Sequence, residues 1–288
     1  MTAREPLSPQ SMRWWPAPAK LNLFLHVTGQ RADGFHNLQT VFQLLDWGDE
    51  IGIEPTDDAR IERIAGPDSI APEEDLTVRA ARALQQVAGV QQGARIRVRK
   101  RVPIGGGLGG GSSDAATALR VLARLWNTKL GLGDLAGIGI AIGSDVPVFL
   151  GGSSAWAEGR GEELTPIELP EAWYLIVHPG VAVGTAGIFQ APELTRNSPL
   201  VTMRGFSPGA GRNDCEPVVR SRYPQVAAAL DWLGEGARLS GTGSCVFKAF
   251  DRAAAAERVA ARVPDEWTSF VARSVNRSPL EAALAIIA

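Results

Sequence analysis

Cysteine is nearly missing from this 288-residue sequence, which holds only Cys215 and Cys245. Two thiols in no metal-like spacing cannot build a disulfide framework or a zinc site. They read as small buried hydrophobes of a cytoplasmic, reducing environment. No run approaches the roughly 18 consecutive apolar residues of a membrane-spanning helix. Charge of one sign is not in excess either: the net charge is −2, so nothing draws the whole chain to nucleic acid or to acidic membranes. Any ligand must be recognised locally. With 45% apolar and 21% charged residues, extended disorder is excluded as well. Internal repeats are absent. Met1 to Met12 has no apolar run and no cleavage-like pattern, and reads as a polar, frayed leader rather than a signal peptide. The length predicts about two domains, each with its own core.

What the sequence has in abundance is glycine in one place. Pro103 to Asp114 reads P-I-G-G-G-L-G-G-G-S-S-D, six glycines in seven positions. Glycine packs nothing and loses the most backbone entropy on folding, so such a loop is retained for a ligand. Arg95 to Val102 alternates like a strand, and Asp114 to Trp126 has helical spacing with Ser112 or Ser113 as its cap. Strand, glycine loop and helix start aim unpaired N–H groups and the positive end of a helix dipole at one spot, which suits a phosphate. A dinucleotide fold would want a second strand ending in an acid about 20 residues on, and a long helix occupies that place. The P-loop fails because no G-K-[ST] follows, and protein-kinase signatures are missing.

Upstream, P-A-P-A-K-L-N-L-F-L-H-V predicts a strand with Leu21, Leu23, Leu25 and Val27 on one face and Lys20, Asn22, Phe24 and His26 on the other. A solvated edge is the plainer explanation for Lys20 and Asn22. Thr28 to Asn37 is an expected loop that displays Phe35 and His36 side by side, fit to stack on and bond a planar base, or simply tucked under the loop. Strands are expected at Leu38 to Leu45 and Glu50 to Glu54 with a turn between them, then a helix capped by Asp75 and running to about Ala88. In Arg95 to Arg101 the arginines share one solvated face, whereas Lys100 is in phase with Ile96 and Val98, where an ammonium is costly unless it meets an anion. A helix from Asp134 to about Ile142 precedes G-S-D-V-P-V-F. There Asp145 has a ready explanation as a helix cap. A composition shift at Gly151 to Glu163 marks the expected domain boundary, giving domains 11–158 and 159–288. The second half reads β-α-α-β-β-α-β-α. Its S-G-T-G-S cluster, Ser240 to Ser244, is either a hairpin turn or a second backbone surface closing over the first loop's ligand.

Together these pieces resemble the GHMP superfamily of small-molecule kinases, from about Trp15 to the C-terminus. The motifs are P-A-K-L-N-L-F-L, R-x-D-G-F-H, the glycine loop, G-S-D-V-P-V-F, N-D-C-E at Asn213 to Glu216 and S-G-T-G-S-C-V-F. The K-L-N strand, the D-G-F-H loop and the S-D-V-P segment are most similar to the branch that uses ATP to phosphorylate the 2-hydroxyl of a cytidine diphosphate-linked alcohol, on the non-mevalonate route to isoprenoid precursors. The resemblance implies an α+β, two-domain fold of mixed sheets and helices with the active site in the cleft between domains. It assigns Lys20 and Asp145 as the catalytic pair. It wraps Pro103, Ile104, Gly105, Gly106, Gly107, Leu108, Gly109, Gly110, Gly111, Ser112 and Ser113 around the ATP phosphates and places Asp75 near the adenine. Asn22, Phe35, His36, Lys100, Thr185 and Phe189 fall around the cytidyl substrate. Phe35 stands where tyrosine is common, keeping a stacking face without the hydroxyl, and Asp75 stands where asparagine is common.

That chemistry is coherent on physical grounds, because phosphoryl transfer needs held phosphates, neutralised charge and an aligned nucleophile more than covalent help. Loop amides can do the first, Lys20 the second, and Asp145 can accept the hydroxyl proton. Mg²⁺ is expected with ATP, although no acidic cluster names its ligands. The rivals are a GHMP kinase for an amino acid, sugar or mevalonate-like alcohol, a dinucleotide oxidoreductase, and an RNA-binding protein using its arginine face.

Overall fold

Two long antiparallel strands form the spine of the molecule, a computed structural model that describes residues 12–287. All but the last residue of the expected leader lies outside the described residues. Strand β1 (Arg13–Gln30) pairs with β2 (His36–Thr56) along nearly its whole length. The two expected strands at Leu38 to Leu45 and Glu50 to Glu54 are thus one. The turn formers between them are absorbed as a bulge, where the register jumps between Pro18 and Lys20. Gly48 sits in that bulge, and a Cβ there would stand 2.1 Å from the Ala17 carbonyl oxygen.

The first half continues with β3 (Ile61–Ala65), α1 (Leu76–Ala88), β4 (Gly93–Arg99), α2 (Gly110–Leu125), α3 (Leu132–Ile142), α4 (Val146–Gly151), β5 (Ala155–Glu158) and β6 (Glu163–Pro166). The second half adds β7 (Trp173–His178), α5 (Thr185–Phe189), α6 (Glu216–Arg222), α7 (Pro224–Leu233), β8 (Arg238–Leu239), β9 (Val246–Phe250), α8 (Ala253–Ala260), β10 (Thr268–Val275) and α9 (Pro279–Leu284). The sheet runs β3-β4-β2-β10-β7-β9-β8, with β1 and β5 also on β2, and β6 on β5. Only β3 and β4 are parallel among these pairs. The result is a mixed α+β fold, as expected. The boundary placed at 158/159 falls within the β5–β6 hairpin, whose strands pair from Ala155↔Pro166 to Glu158↔Glu163.

Helix α2 lies against the spine and is buried around most of its circumference, which its run of Ala115, Ala116, Ala118 and Ala123 permits by letting neighbours approach closely. Its one deeply buried cation, Arg120, is satisfied by Glu281 at 2.8 and 3.1 Å and by the Leu150 carbonyl at 2.7 Å, which ties α9 back to the first half. Helix α2 begins at Gly110, four residues before the expected start, with Gly109 as its N-cap at φ 72° and no side-chain cap bond. Both serines therefore lie inside the first turn. The arginine face of β4 is solvent-facing as expected, while Ile96 and Val98 are buried.

Candidate active site

The glycine loop folds into a run of left-handed residues, Gly105, Gly107 and Gly109, with φ of 71°, 75° and 72°. Side chains rarely adopt that region, and there is no room for them here: a Cβ on Gly107 would meet the Ser240 carbonyl oxygen at 2.1 Å. The reason is that the two glycine clusters interlock through their backbones. Cys245 N–H donates to the Gly106 carbonyl at 3.0 Å, Ser244 N–H to Gly105 at 3.2 Å, and the Ser240 hydroxyl to Gly107 at 3.0 Å. Ser240 to Ser244 is thus both the β8–β9 connection and a second backbone surface under the first loop. Asn213 holds it in turn, its amide donating to Leu239 and Gly241 carbonyls at 2.9 and 2.7 Å. Asp214 accepts from Val27 N–H at 2.7 Å, which anchors that clamp to β1.

Lysine 20 is not on a solvated edge. The free edge of β1 is covered by the glycine loop, with Lys20 N–H donating to the Leu108 carbonyl at 3.0 Å, and Lys20 is 3% exposed. Its ammonium donates to Asn22 Oδ1 at 2.6 Å and the Gly107 carbonyl at 3.0 Å, and lies 3.3 Å from Asp145 Oδ2. Asn22 uses its amide nitrogen on Thr40 Oγ1 at 2.9 Å, so it orients the lysine from β1 itself. Asp145 precedes α4 in the cap position but makes no side-chain cap bond, and its carboxylate is 31% exposed toward the cavity. The residue type that caps helices is here turned to the lysine instead.

A cavity of about 540 Å³ opens over this pair. Pro103 to Ser112 line it, as do Lys20, Asn22, Asp75, Lys100, Asp145, Thr185 and Phe189. Ser113 does not, being fully buried beneath the loop with its hydroxyl unpartnered. The first N–H groups of α2 face the same space, since helix starts leave them without internal partners. Asp75 lines the cavity but is already engaged as the cap of α1, accepting from Thr77 N–H at 2.9 Å and pairing with Arg63 at 2.7 Å.

Lys100 does meet an anion, but the anion is protein. Its ammonium lies 2.6 Å from Asp49 and 2.7 Å from Asp114, and Asp49 also accepts from Arg101 and Val102 N–H groups. Burial opposes the charge on Lys100, yet the two carboxylates outweigh it and hold its pKa above the ordinary value. Burial, reinforced by Asp49, pushes the Asp114 carboxyl up. This group fastens the strand before the glycine loop to the helix after it.

Phe35 and His36 do not face the same way, as neighbours at a strand start alternate sides. Phe35 is 49% exposed with the Arg160 guanidinium 3.6 Å from its ring centroid. His36 is buried, its ring stacked on Phe189 at 5.3 Å, and its Nε2 accepts from Arg196 Nε at 3.1 Å. Burial first, then the charge of Arg196, lowers the His36 pKa, which keeps the ring neutral. Thr185 shares a 3.0 Å hydrogen bond with Thr242 of the second glycine cluster. Sequence reasoning did not single out Arg160 or Arg196, whereas Thr242 belongs to the S-G-T-G-S cluster that it did. Arg160 lies in the Gly151 to Glu163 stretch that reads as a domain boundary.

Interlocked glycine loops beside a helix start, with a buried lysine paired to a carboxylate at one cavity, have the layout of a phosphoryl-transfer site on a small-molecule kinase fold. The family model for the GHMP kinases N terminal domain matches residues 75–153, and that for GHMP kinases C terminal matches 202–269. The chain belongs to the GHMP kinase family. At finer grain it is 56% identical over 276 residues to the 4-diphosphocytidyl-2-C-methyl-D-erythritol kinase of Halorhodospira halophila, covering 94% of this chain and 96% of that one. The kinase of the same name from Cupriavidus necator is 50% identical over 98% of this chain and 99% of its own length. A solved 4-(cytidine 5'-diphospho)-2C-methyl-D-erythritol kinase superposes with a TM-score of 0.80 at 31% identity, over 91% of this chain and 99% of that one. The mevalonate kinase of Methanococcus jannaschii, at 15% identity and a TM-score of 0.68, shares the fold. Among the described residues, no helix is long and apolar enough to cross a membrane.

Proposed function

We infer that this chain transfers the terminal phosphoryl group of ATP to the 2-hydroxyl of 4-diphosphocytidyl-2-C-methyl-D-erythritol, giving the 2-phosphate and ADP. The carrying observation is the Lys20–Asp145 pair at 3.3 Å, in the cavity that the glycine loop also lines. On this reading the loop amides and the start of α2 hold the ATP phosphates. Lys20, fixed by Asn22 and the Gly107 carbonyl, meets charge developing on the transferred group. Asp145 accepts the proton of the acceptor hydroxyl as it attacks. The cytidyl end lies toward the stacked His36–Phe189 pair, with Thr185 beside it. Residues 11–158 would form the ATP-binding domain and 159–288 the C-terminal one, and the two buried free cysteines fit a reducing cytoplasm.

Magnesium would neutralise phosphate charge when bound with ATP. Among the described residues no group of three His, Cys, Asp or Glu side chains could hold a metal by itself. The oxygen-bearing side chains of Glu74, Ser112 and Asp145 line the cavity and would share such an ion with the phosphates, as protein groups commonly do for Mg²⁺. The test is ADP release with the cytidyl alcohol against homoserine, mevalonate and galactose. Turnover confined to the cytidyl alcohol is expected, and preference for another alcohol would overturn the reading.

A further inference from the structure

Among the described residues three cations line the cavity, and two of them are already neutralised. Lys20 faces Asp145, and Lys100 is enclosed between Asp49 and Asp114. The third, Arg160, has no carboxylate within ion-pair distance of its guanidinium among the described residues. Its group rests instead on the ring of Phe35. The backbone that carries it is fixed. Gly159 accepts from Leu38 N–H at 2.7 Å, Gly161 N–H donates to Glu158 at 3.0 Å, and Arg160 N–H donates to the Glu162 carboxylate. Beyond its stacking on Phe35, the side chain itself makes no hydrogen bond or ion pair among the described residues.

Its location follows from the register of β2. The Lys20 ammonium lies 5.3 Å from the centroid of Phe42, and the Arg160 turn is tied to Leu38, four residues along the same strand. At about 3.3 Å per residue the two attachment points lie about 13 Å apart along β2. An acceptor with its hydroxyl at Asp145 and its base toward the His36–Phe189 stack must lay its diphosphate along that interval. The long arginine stem reaches back into it, and the planar guanidinium pairs with two phosphate oxygens as a point charge does not.

We propose that Arg160 is the diphosphate-binding cation of the acceptor site, resting on Phe35 and turning to the phosphates when the acceptor enters. This rests on reading the acceptor as a cytidine diphosphate-linked alcohol. Phe35 is then the arginine's resting place in the free protein.

The test compares binding of CDP and cytidine to the wild-type protein, Arg160→Gln and Arg160→Lys by titration calorimetry, with thermal melts as a folding control. Wild type should favour CDP by about tenfold or more, Arg160→Gln should lose most of that preference while keeping its cytidine affinity, and Arg160→Lys should recover part of it. A preference unchanged in Arg160→Gln overturns the proposal. Equal loss of CDP and cytidine also overturns it, because the arginine would then serve the base. A wild-type protein that binds neither compound overturns the cytidyl reading itself, which is a different result from wild-type binding of both with no dependence on Arg160.

Discussion

Replacing Asp145 with asparagine separates catalysis from architecture, because the two roles open to this residue predict different magnitudes. Asparagine caps helices about as well as aspartate. The cap bond is in any case absent at Asp145, so losing it costs nothing. What the substitution removes is one ion-pair partner of Lys20. With the carboxylate 31% exposed and the ammonium still bonded to Asn22 and Gly107, the stability change should be within about 1 kcal/mol. Loss of a general base costs about 10²–10⁴ in rate. At about 1.36 kcal/mol per decade that is about 2.7 to 5.4 kcal/mol of barrier, several times the stability effect. The assay is rapid-quench single turnover with saturating ATP and cytidyl alcohol, beside a thermal melt. Lys20→Met should also slow the chemical step, and the double variant should fall short of the sum, since groups acting as a unit cannot be removed twice. A near-wild-type single-turnover rate in Asp145→Asn would refute the base assignment and leave transfer to positioning and charge alone.

Gly107→Ala should weaken ATP binding and also lower Tm, because its Cβ would enter the Ser240 backbone; a variant with wild-type Tm and ATP affinity would contradict the interlocked-loop picture. Lys100→Met should destabilise by about 3–5 kcal/mol, since it leaves Asp49 and Asp114 buried without their cation. An unchanged urea midpoint with a raised KM for the acceptor would instead make Lys100 a ligand of the substrate. All three histidines, His26, His36 and His178, have pKa values lowered chiefly by burial. The folded state therefore favours the neutral rings, and their contribution to stability is complete above about pH 6.5 and is lost as pH falls below it. Tm should hold between pH 7 and 8 and decline toward pH 5.5, with a shallower decline in His36→Gln; a flat profile in the wild type would show that the rings are not held neutral.

How much of this was legible in the sequence depends on the range of the interaction involved. Period-two alternation placed Lys20 and Asn22 on one face, and the structure joins them by a 2.6 Å bond. The phase of Lys100 in its strand revealed that its ammonium needed an anion. Its partners could not be read, because Asp49 lies on another strand and Asp114 in a helix that starts earlier than serine capping predicts. Asp145 was ambiguous for a chemical reason: the features that make aspartate a cap, a short side chain and an acceptor, also make it a base. Only the direction of the side chain decides, and local sequence does not encode that. Phe35 and His36 were grouped because they are adjacent, yet adjacency at a strand start sends side chains to opposite sides. Arg160 was invisible for the most distant reason, since it enters the cavity only because β5 pairs with β2.

The same long-range pairings explain why this site sits where it does. Lys20 receives one hydrogen-bonding partner from its own strand, Asn22, and one from the glycine loop, Gly107. Gly107 is in turn held by Ser240, whose hydroxyl also accepts from Asn22 N–H at 3.3 Å. The second glycine cluster is fixed by Asn213, and the neighbouring Asp214 returns to β1 at Val27. The lysine therefore stands at the closure of a ring of contacts that passes through both halves of the chain. An ammonium buried to this degree needs all of its partners at once, and the second glycine cluster steadies two of them, Asn22 and the Gly107 carbonyl, through Ser240. Glycine supplies the close backbone approach that makes the ring small, and the buried cation makes it specific. With the first loop holding the nucleotide phosphates as proposed, substitutions that loosen the second cluster should be felt at the nucleotide even though that cluster lies beneath the first loop.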